Sequence, residues 1–195
     1  MYNNEQEQDY NELLKQINQA RNDYISESGK SILFKNKQKQ DCAKHVSTLY
    51  DTNTLLQMSM YLIPNNPILF IDYTILKLFI NEDNFPVLVN HYKNLYDTCY
   101  IQFGTIILNL NLDTFSVSAA YRYKNIIEMF SKEFMQTHYS YNLNKLIIYN
   151  SPSMMDTIYS IFKHCIDHIL MDKIVLVTKK DSTEDIQYLK TFGCK

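Results

Sequence analysis

The stretch TIILNLNL at residues 105–112 decides the fold class, because a short apolar run in it passes into alternating leucine and asparagine. This pattern predicts a strand that is buried on both faces at first and on one face later. Two more short apolar stretches follow along the chain, KLIIYN at 145–150 and KIVLVT at 173–178. The second half of the chain is therefore predicted to contain three strands.

Helical patterns lie between and after these strands. The stretch 119–134 has apolar residues at helical spacing, and a second stripe runs from Met154 to Ile169. Ser153 and Ser182 each precede an acidic residue by three positions, which predicts that they cap the helices that follow. Strands that alternate with helices indicate right-handed parallel crossovers in an α/β sheet.

Two further strands are predicted upstream. Residues 58–63 and 68–73 are apolar stretches joined by the turn Pro-Asn-Asn-Pro at 64–67. A helix is predicted to begin at Asn84, since an asparagine cap followed by a proline (Pro86) in the first turn is typical of a helix start. The sheet-forming part of the chain is therefore expected to start near residue 58.

The first part of the chain is predicted to be helical. Apolar positions at helical spacing indicate an amphipathic helix that ends at Gly29, and a second helix is predicted for about 41–56. Between them lies the basic run KNKQKQ at 35–40, which is typical of a solvated loop or helix face and which an anionic membrane could also contact. We therefore divide the chain into a helical N-terminal segment, 1–57, and an α/β domain, 58–195.

The composition excludes several classes of protein. The 195 residues are 46% hydrophobic and 21% charged, as in a globular chain with a core, and the formal net charge is -2. This balance argues against a nucleic-acid-binding protein, which needs a basic excess. The apolar runs are far shorter than the ~20 residues of a transmembrane helix, and the acidic, polar start lacks the features of a secretory signal. The four cysteines form no CxxC pair, so we expect reduced thiols in a cytosol-like compartment.

No catalytic or metal-binding motif stands out. The three glycines are scattered, and the tripeptide GKS at 29–31 lacks the spacing of a phosphate-binding loop. Ser151 lies between a strand and a helix, but Pro152 and the absence of a G-x-S-x-G motif favour an ordinary turn over a nucleophile elbow. His164 and His168 are four residues apart on a predicted helix, yet two ligands alone do not specify a metal site. We therefore expect a non-enzymatic protein without a metal or cofactor.

A series of short motifs extends across the second half of the chain. In order, these are Asn111-Leu112, Phe115-Ser116-Val117-Ser118, Asn150-Ser151-Pro152, Phe162-Lys163-His164-Cys165-Ile166-Asp167 and Lys173-Ile174-Val175-Leu176. Their order and spacing resemble those of the CRAL-TRIO family of lipid-binding and phosphatidylinositol-transfer proteins, in a divergent and shortened form.

The resemblance implies a CRAL-TRIO-like α/β fold, in which a mixed, largely parallel sheet covered by helices forms the floor of a hydrophobic pocket. The helix at 153–169 would be the gate of this pocket. The ligand-facing residues that the resemblance implies are Met155, Tyr159, Phe162 and Ile166 on the gate and Ile106, Leu108 and Leu110 on the sheet.

The headgroup positions of the family are only partly kept. Lys173 corresponds to the lysine that contacts a headgroup, whereas Tyr141 stands near the position of the family's glutamate. An exposed lysine near an anionic surface contributes about 1 kcal/mol. We therefore expect little preference for phosphatidylinositol over phosphatidylcholine.

The function implied by the resemblance is non-enzymatic binding of a hydrophobic ligand, foremost a phospholipid, with transfer of that ligand as a further expectation. Such a protein would be cytoplasmic, would contact membrane surfaces transiently and would bind no nucleic acid. A protein-interaction scaffold of the related BCH type, with a collapsed pocket and a protein partner, is the alternative.

Overall fold

The chain folds around a five-stranded sheet with helices packed on both of its faces. The computed structural model describes residues 4–29, 35–136, 139–166 and 168–193. In chain order the strands are β1 (Met60–Leu62), β2 (Ile68–Asp72), β3 (Ile106–Asn111), β4 (Leu143–Tyr149) and β5 (Ile174–Leu176).

The order of the strands in the sheet is the same as their order in the chain. β1 pairs with β2 in antiparallel orientation, and all later pairs are parallel. The predicted fold class, an α/β fold with a mixed and largely parallel sheet, is therefore confirmed. The first predicted strand is shorter than expected, because Met58 and Ser59 still belong to the preceding helix.

Eleven α-helices are assigned within the described residues, and a 3-10 turn at Glu82–Asn84 precedes the fifth. They are α1 (Asn4–Ser28), α2 (Lys35–Leu49), α3 (Thr52–Ser59), α4 (Tyr73–Leu76), α5 (Phe85–Phe103), α6 (Val117–Arg122), α7 (Lys124–Gln136), α8 (Tyr139–Asn142), α9 (Met155–Phe162), α10 (His168–Met171) and α11 (Thr183–Lys190). In the part of the chain that the structure describes, no helix is both long enough and apolar enough to span a bilayer.

The N-terminal segment departs from the prediction at one point. The helix predicted for 41–56 is divided into α2 and α3, because the Asp51 side chain accepts a hydrogen bond from the backbone N–H of Thr54 at 2.8 Å and caps a new helix there. Of the two structures left open for the basic run at 35–40, a loop or a helix face, the structure shows the helix, because the run forms the first turns of α2. Ile17 of α1 and Val46 of α2 are fully buried in the same core as the sheet.

The predicted gate helix is also divided. α9 ends at Phe162, and α10 begins only at His168. The prediction that Ser153 caps α9 is wrong, because the residue before the helix is Met154 and no side chain caps it. The region predicted as a gate is therefore a helix of eight residues between two irregular segments.

Ser182 occupies the N-cap position of α11 as predicted, but its side chain does not cap the helix. Its hydroxyl instead accepts a hydrogen bond from the backbone N–H of Asn150 at 2.8 Å and donates one to the carbonyl of Thr178 at 2.7 Å. Asn84 precedes α5 as predicted, but its side chain accepts from the backbone N–H of Asn81 and completes a capping box there. In both cases the side chain bonds to a segment outside the helix that it precedes.

The sheet has two different faces. Each parallel strand is added on the same side of the one before it, and the crossover connections between parallel strands are right-handed. The helices of these connections therefore all lie on one face of the sheet. This crossover face carries Ile71, Leu108 and Ile148, which share a core with α5, α6 and α7. The opposite face, called the α11 face, carries Phe70 and Tyr149, which pack against the last helix.

Candidate functional site

A cavity of about 350 Å³ lies between the crossover face and the helices that cover it. Its floor is formed by alternate residues of β2, β3 and β4, which point to the same side because side chains alternate along a strand. The floor and the facing side chains of α7 are almost entirely apolar. They include Ile71, Leu108, Leu110, Leu112, Leu146, Ile148, Ile126, Ile127 and Phe130.

One wall of the cavity is α9 with the turn that follows it. Ile158 and Phe162 lie four positions apart on the inner side of this helix and pack against Ala120 of α6. Tyr159 also lines the cavity but keeps 36% of its surface exposed. The four residues predicted for the gate, Met155, Tyr159, Phe162 and Ile166, all line the cavity.

The residues predicted for the sheet are divided between the cavity and the closed core. Leu108 and Leu110 line the cavity. Ile106 points to the same face but lies at the start of β3, where it is fully buried among core residues such as Tyr96 and Leu143 and does not reach the cavity.

The predicted headgroup residues, Lys173 and Tyr141, lie near the start of β5, beside one end of the cavity. Neither of them lines the cavity. Lys173 Nζ donates hydrogen bonds to the backbone carbonyls of Ser140 at 2.6 Å and Tyr141 at 3.2 Å. The Tyr141 side chain is 64% exposed. The two residues are thus brought together through the Tyr141 carbonyl, and Lys173 holds the start of β5 against α8.

The opposite end of the cavity, beyond the carboxyl ends of β2 and β3, contains residues that the sequence analysis did not single out. Tyr73, Lys77, Phe115 and Tyr123 line it. The Tyr73 ring meets the rings of Phe115 and Tyr123 edge to face, at centroid distances of 4.9 Å and 6.0 Å. Lys77 Nζ donates to the hydroxyl of Thr114 at 2.6 Å.

Burial raises the pKa of both tyrosines at this end, and in Tyr73 the neighbouring Tyr123 adds to the effect. A tyrosine hydroxyl is protonated at neutral pH even at its usual pKa of about 10, so both hydroxyls can donate hydrogen bonds to a ligand there, and the raised pKa values extend this to more alkaline pH. The four-residue spacing of Tyr73 and Lys77 after an apolar strand was the available sequence signal. It was missed because Tyr73 was assigned to the strand itself.

The fold and cavity agree with a comparison to known protein families. A family model described as the CRAL/TRIO domain matches residues 94–192, which is half of the chain. The chain belongs to the CRAL/TRIO family. Domains of this family bind small lipophilic ligands, and an apolar cavity over the sheet is suited to that role. A search of curated proteins found no match.

The match to the CRAL/TRIO domain covers β3, β4, β5 and α11 together with the connections between them. It therefore includes α9 and most of the cavity floor. Tyr73 and Lys77 lie before the matched range, as do α1 and α2. Part of one end of the cavity, formed by Tyr73 and Lys77, therefore comes from a segment outside the matched CRAL/TRIO region.

His164 and His168 do not form the pair that their spacing suggested. The break after α9 removes the helical relation between them. His164 Nε2 instead lies 3.2 Å from Glu128 Oε1, and Cys165 lies within 4.8 Å of the pair. Glu128 also pairs with Lys124 at 3.6 Å, so its carboxylate already serves as the acceptor of a surface ion pair.

The thiols in the described residues are poorly suited to nucleophilic chemistry. Cys42, Cys99 and Cys165 are all buried and free, and burial raises the pKa of each. A thiol with a raised pKa contains little reactive thiolate at neutral pH. Cys194 lies outside the described residues.

Proposed function

We propose that this protein binds one hydrophobic ligand of the lipid class, foremost a phospholipid, with an acyl chain in the cavity and without covalent chemistry. The observation that carries the proposal is the apolar cavity of about 350 Å³ between the sheet and α9. Seven side chains were named for the cavity from a family resemblance, and six of them line it: Leu108, Leu110, Met155, Tyr159, Phe162 and Ile166.

The size of the cavity favours a single acyl chain. Sites for small ligands commonly range from ~300 to ~1,000 Å³, and this cavity lies near the lower limit. Burial of a chain contributes about 0.8 kcal/mol for each methylene, so a long chain offers roughly 10 kcal/mol before the costs of ordering. This gross free energy is large enough for binding without a strong headgroup contact.

We propose α9 as the gate through which the ligand enters. The helix has eight residues and is bounded by irregular segments on both sides. Met154 is 54% exposed just before the helix, and Tyr159 reaches from the cavity to the surface. Exposed apolar side chains at an entrance are suited to transient contact with a membrane surface. Transfer between membranes and a peripheral, cytoplasmic location belong to this proposal.

The alternative, a BCH-type protein scaffold, requires a collapsed pocket. The open cavity favours ligand binding over this alternative. Within the lipid class, the position of Lys173 against two backbone carbonyls favours little selectivity for phosphatidylinositol at that end of the cavity.

The direct test is extraction of the protein as purified from cells, followed by mass spectrometry of the organic phase. We expect about one lipid per chain. Ligand-free protein in native mass spectrometry, together with no binding of any added lipid, would contradict the proposal and favour the scaffold.

A matched pair of variants on α9 tests the gate. Tyr159→Asp places a carboxylate at the cavity wall. An acyl chain bound beside it would remove water from the charge, which costs free energy and weakens binding. We expect about tenfold less bound lipid in Tyr159→Asp. Ser160→Asp adds the same charge to the exposed side of the same helix and should leave lipid content unchanged. Equal lipid content in the two variants would argue against α9 as the gate.

A further inference from the structure

Five cationic side chains from distant parts of the chain interact near the carboxyl ends of β2 and β3, where Asn36 of α2 accepts hydrogen bonds from Ser118 at 2.9 Å and Arg122 at 3.3 Å on α6. We call this group the cationic cluster: Arg21 of α1, Lys35 and Lys39 of α2, Lys77 after α4, and Arg122 of α6. Among the described residues, none of the five forms an ion pair with a carboxylate. In a chain with a formal net charge of -2, this is a local excess of positive charge.

The cations act on one another. Partial burial, followed by the charges of Arg122, Lys35, Arg21 and Lys77, lowers the pKa of Lys39, whose side chain remains mostly exposed. Burial, followed by the charge of Arg21, also lowers the pKa of Lys77. Mutual repulsion of this kind is a cost that a bound anion would remove.

The nearby carboxylates are already engaged elsewhere. Asp113 pairs with Lys179 at 2.9 Å, and Asp72 pairs with Lys190 at 2.9 Å. Both carboxylates act to raise the pKa of Lys77, but burial and the charge of Arg21 have larger effects, and the pKa is lowered overall. Within the described residues, the protein therefore supplies no dedicated counter-ion for the cationic cluster.

Lys77 connects the cationic cluster to the cavity. It lines the cavity together with Tyr73 and Tyr123. The Lys77 Nζ lies 5.9 Å from the centre of the Tyr73 ring. The hydrogen bond to the Thr114 hydroxyl holds the Lys77 ammonium group there. Thr114 itself has a φ of 66°, a backbone conformation that β-branched residues rarely adopt.

The contacts of Arg122 also point to an anion near this end of the cavity, independently of Lys77. Its guanidinium lies 5.4 Å from the centre of the Tyr123 ring, and one of its terminal nitrogens donates to Asn36 Oδ1 at 3.3 Å. Its Nε is buried and has no acceptor among the described residues. A buried donor without an acceptor is costly, and a guanidinium is well shaped to bind a carboxylate or phosphate.

We propose that the cationic cluster binds the anionic head of the lipid whose chain fills the cavity, a head that carries a carboxylate or a phosphate monoester. This inference rests on the proposed function and deepens it. Lys77 contacts the head directly from the cavity wall, while Arg122, Lys39 and Arg21 add to the attractive potential around it. The head therefore lies at the carboxyl ends of the strands, at the opposite end of the cavity from Lys173.

The test compares lipids with the same chain and different heads. Affinities of the delipidated full chain are measured by calorimetry for oleate against oleyl alcohol, and for oleoyl lysophosphatidate against oleoyl lysophosphatidylcholine. Charge-assisted hydrogen bonds contribute about 1.5–3 kcal/mol, so the anionic member of at least one pair should bind about tenfold more tightly or better. The pair with the larger preference tells whether the natural head is a carboxylate or a phosphate.

Matched variants locate the head. Lys77→Met keeps the aliphatic stem at the cavity wall and removes the charge, and Lys173→Met makes the same change at the other end. We expect Lys77→Met to lose most of the preference for anionic heads and Lys173→Met to keep it. Lys39→Met removes an exposed charge outside the cavity wall and should reduce the preference by about threefold even if Lys77→Met fails to fold.

Each outcome has a defined meaning. Binding of oleyl alcohol with no preference for either anionic lipid would leave the proposed function intact and overturn the head site. Loss of the preference in Lys173→Met, with none lost in Lys77→Met or Lys39→Met, would also overturn it. Absence of binding by all four lipids would contradict both proposals. Binding to anionic vesicles without binding of monomeric anionic lipids would mean that the cationic cluster serves a membrane surface instead.

Discussion

The two faces of the sheet are covered in different ways. On the crossover face, the floor residues Leu110 and Leu146 are only half-buried and face a cavity. On the α11 face, Phe70 of β2 and Leu189 of α11 are almost completely buried in one shared hydrophobic cluster. The crossover face thus leaves room for a ligand, whereas the α11 face is closely packed, although both belong to the same strands.

Polar groups strengthen this difference. Under α11, the Asp72 carboxylate accepts from Asn111 Nδ2 at 2.9 Å and pairs with Lys190 at 2.9 Å. Asn111 Oδ1 in turn accepts from Asn150 Nδ2 at 2.8 Å. These contacts join β2, β3, the end of β4 and α11. Burial of such a network stabilises one packing arrangement of the face.

The largest effect should come from the buried ion pair on the α11 face. The Asp72 side chain is only 2% exposed, so Lys190→Met would leave its charge buried without its cationic partner. We expect a loss of about 2–4 kcal/mol in the free energy of unfolding, measured by urea denaturation.

Lys179→Met is the matched control for that variant. It breaks the more exposed pair with Asp113 and should cost no more than about 1 kcal/mol. Equal losses in the two variants would show that the ion pair under α11 is not a special source of stability.

The same substitution on each face tests the difference in packing. Leu110→Phe adds volume toward the cavity and should change the free energy of unfolding by less than about 1 kcal/mol. It should also lower the amount of bound lipid, because the larger ring occupies part of the floor. Leu189→Phe enlarges a residue that is 2% exposed on the α11 face and should cost about 1–3 kcal/mol without affecting lipid.

Urea denaturation and lipid extraction on the same preparations check both parts. If Leu110→Phe were as destabilising as Leu189→Phe, the crossover face would be packed as tightly as the α11 face, and the distinction between them would fail.

Much of the fold follows from local patterns in the sequence. The strand predicted at 105–112 is observed as β3 at Ile106–Asn111, because a short apolar run that passes into alternation is typical of a strand. Its alternating part is buried on both faces rather than on one, since Asn109 and Asn111 are buried as well. The caps predicted at Ser153 and Ser182 fail for a different reason. A serine that precedes a helix can bond to any nearby backbone group, and Ser182 bonds to a segment that the sequence pattern does not bring near it.

The residues of the candidate site could also be predicted only in part. Residues of α9, such as Phe162, were assigned to the cavity by the family resemblance, and the apolar stripe of the helix agrees with their position beside the sheet. Lys77 and Arg122 could not be assigned, since they lie on separate elements that only the folded chain brings together. The basic run at 35–40 was visible, but its packing beside the carboxyl ends of the strands was not.

The smallest effect that we expect concerns the alkaline stability of the α11 face. Burial, followed by the charge of Asp185 and a hydrogen bond to it, raises the pKa of Tyr149 to about 12 from its usual value near 10. Between these two values the folded chain keeps the phenol proton that the unfolded chain has lost. Stability should therefore fall as the pH rises from about 10 to about 12 and level off above that range.

Tyr149→Phe removes this contribution and should make the fall in unfolding free energy between about pH 10 and pH 12 shallower, as measured by urea denaturation at intervals across the range. Asp185→Asn removes the second cause of the shift and should give a slope between those of the parent and Tyr149→Phe. Both variants should match the parent in slope between about pH 7 and pH 8, where tyrosine does not titrate. An unchanged alkaline slope in Tyr149→Phe would mean that the loss of stability comes from tyrosines on the crossover face, such as Tyr73, whose pKa burial also raises.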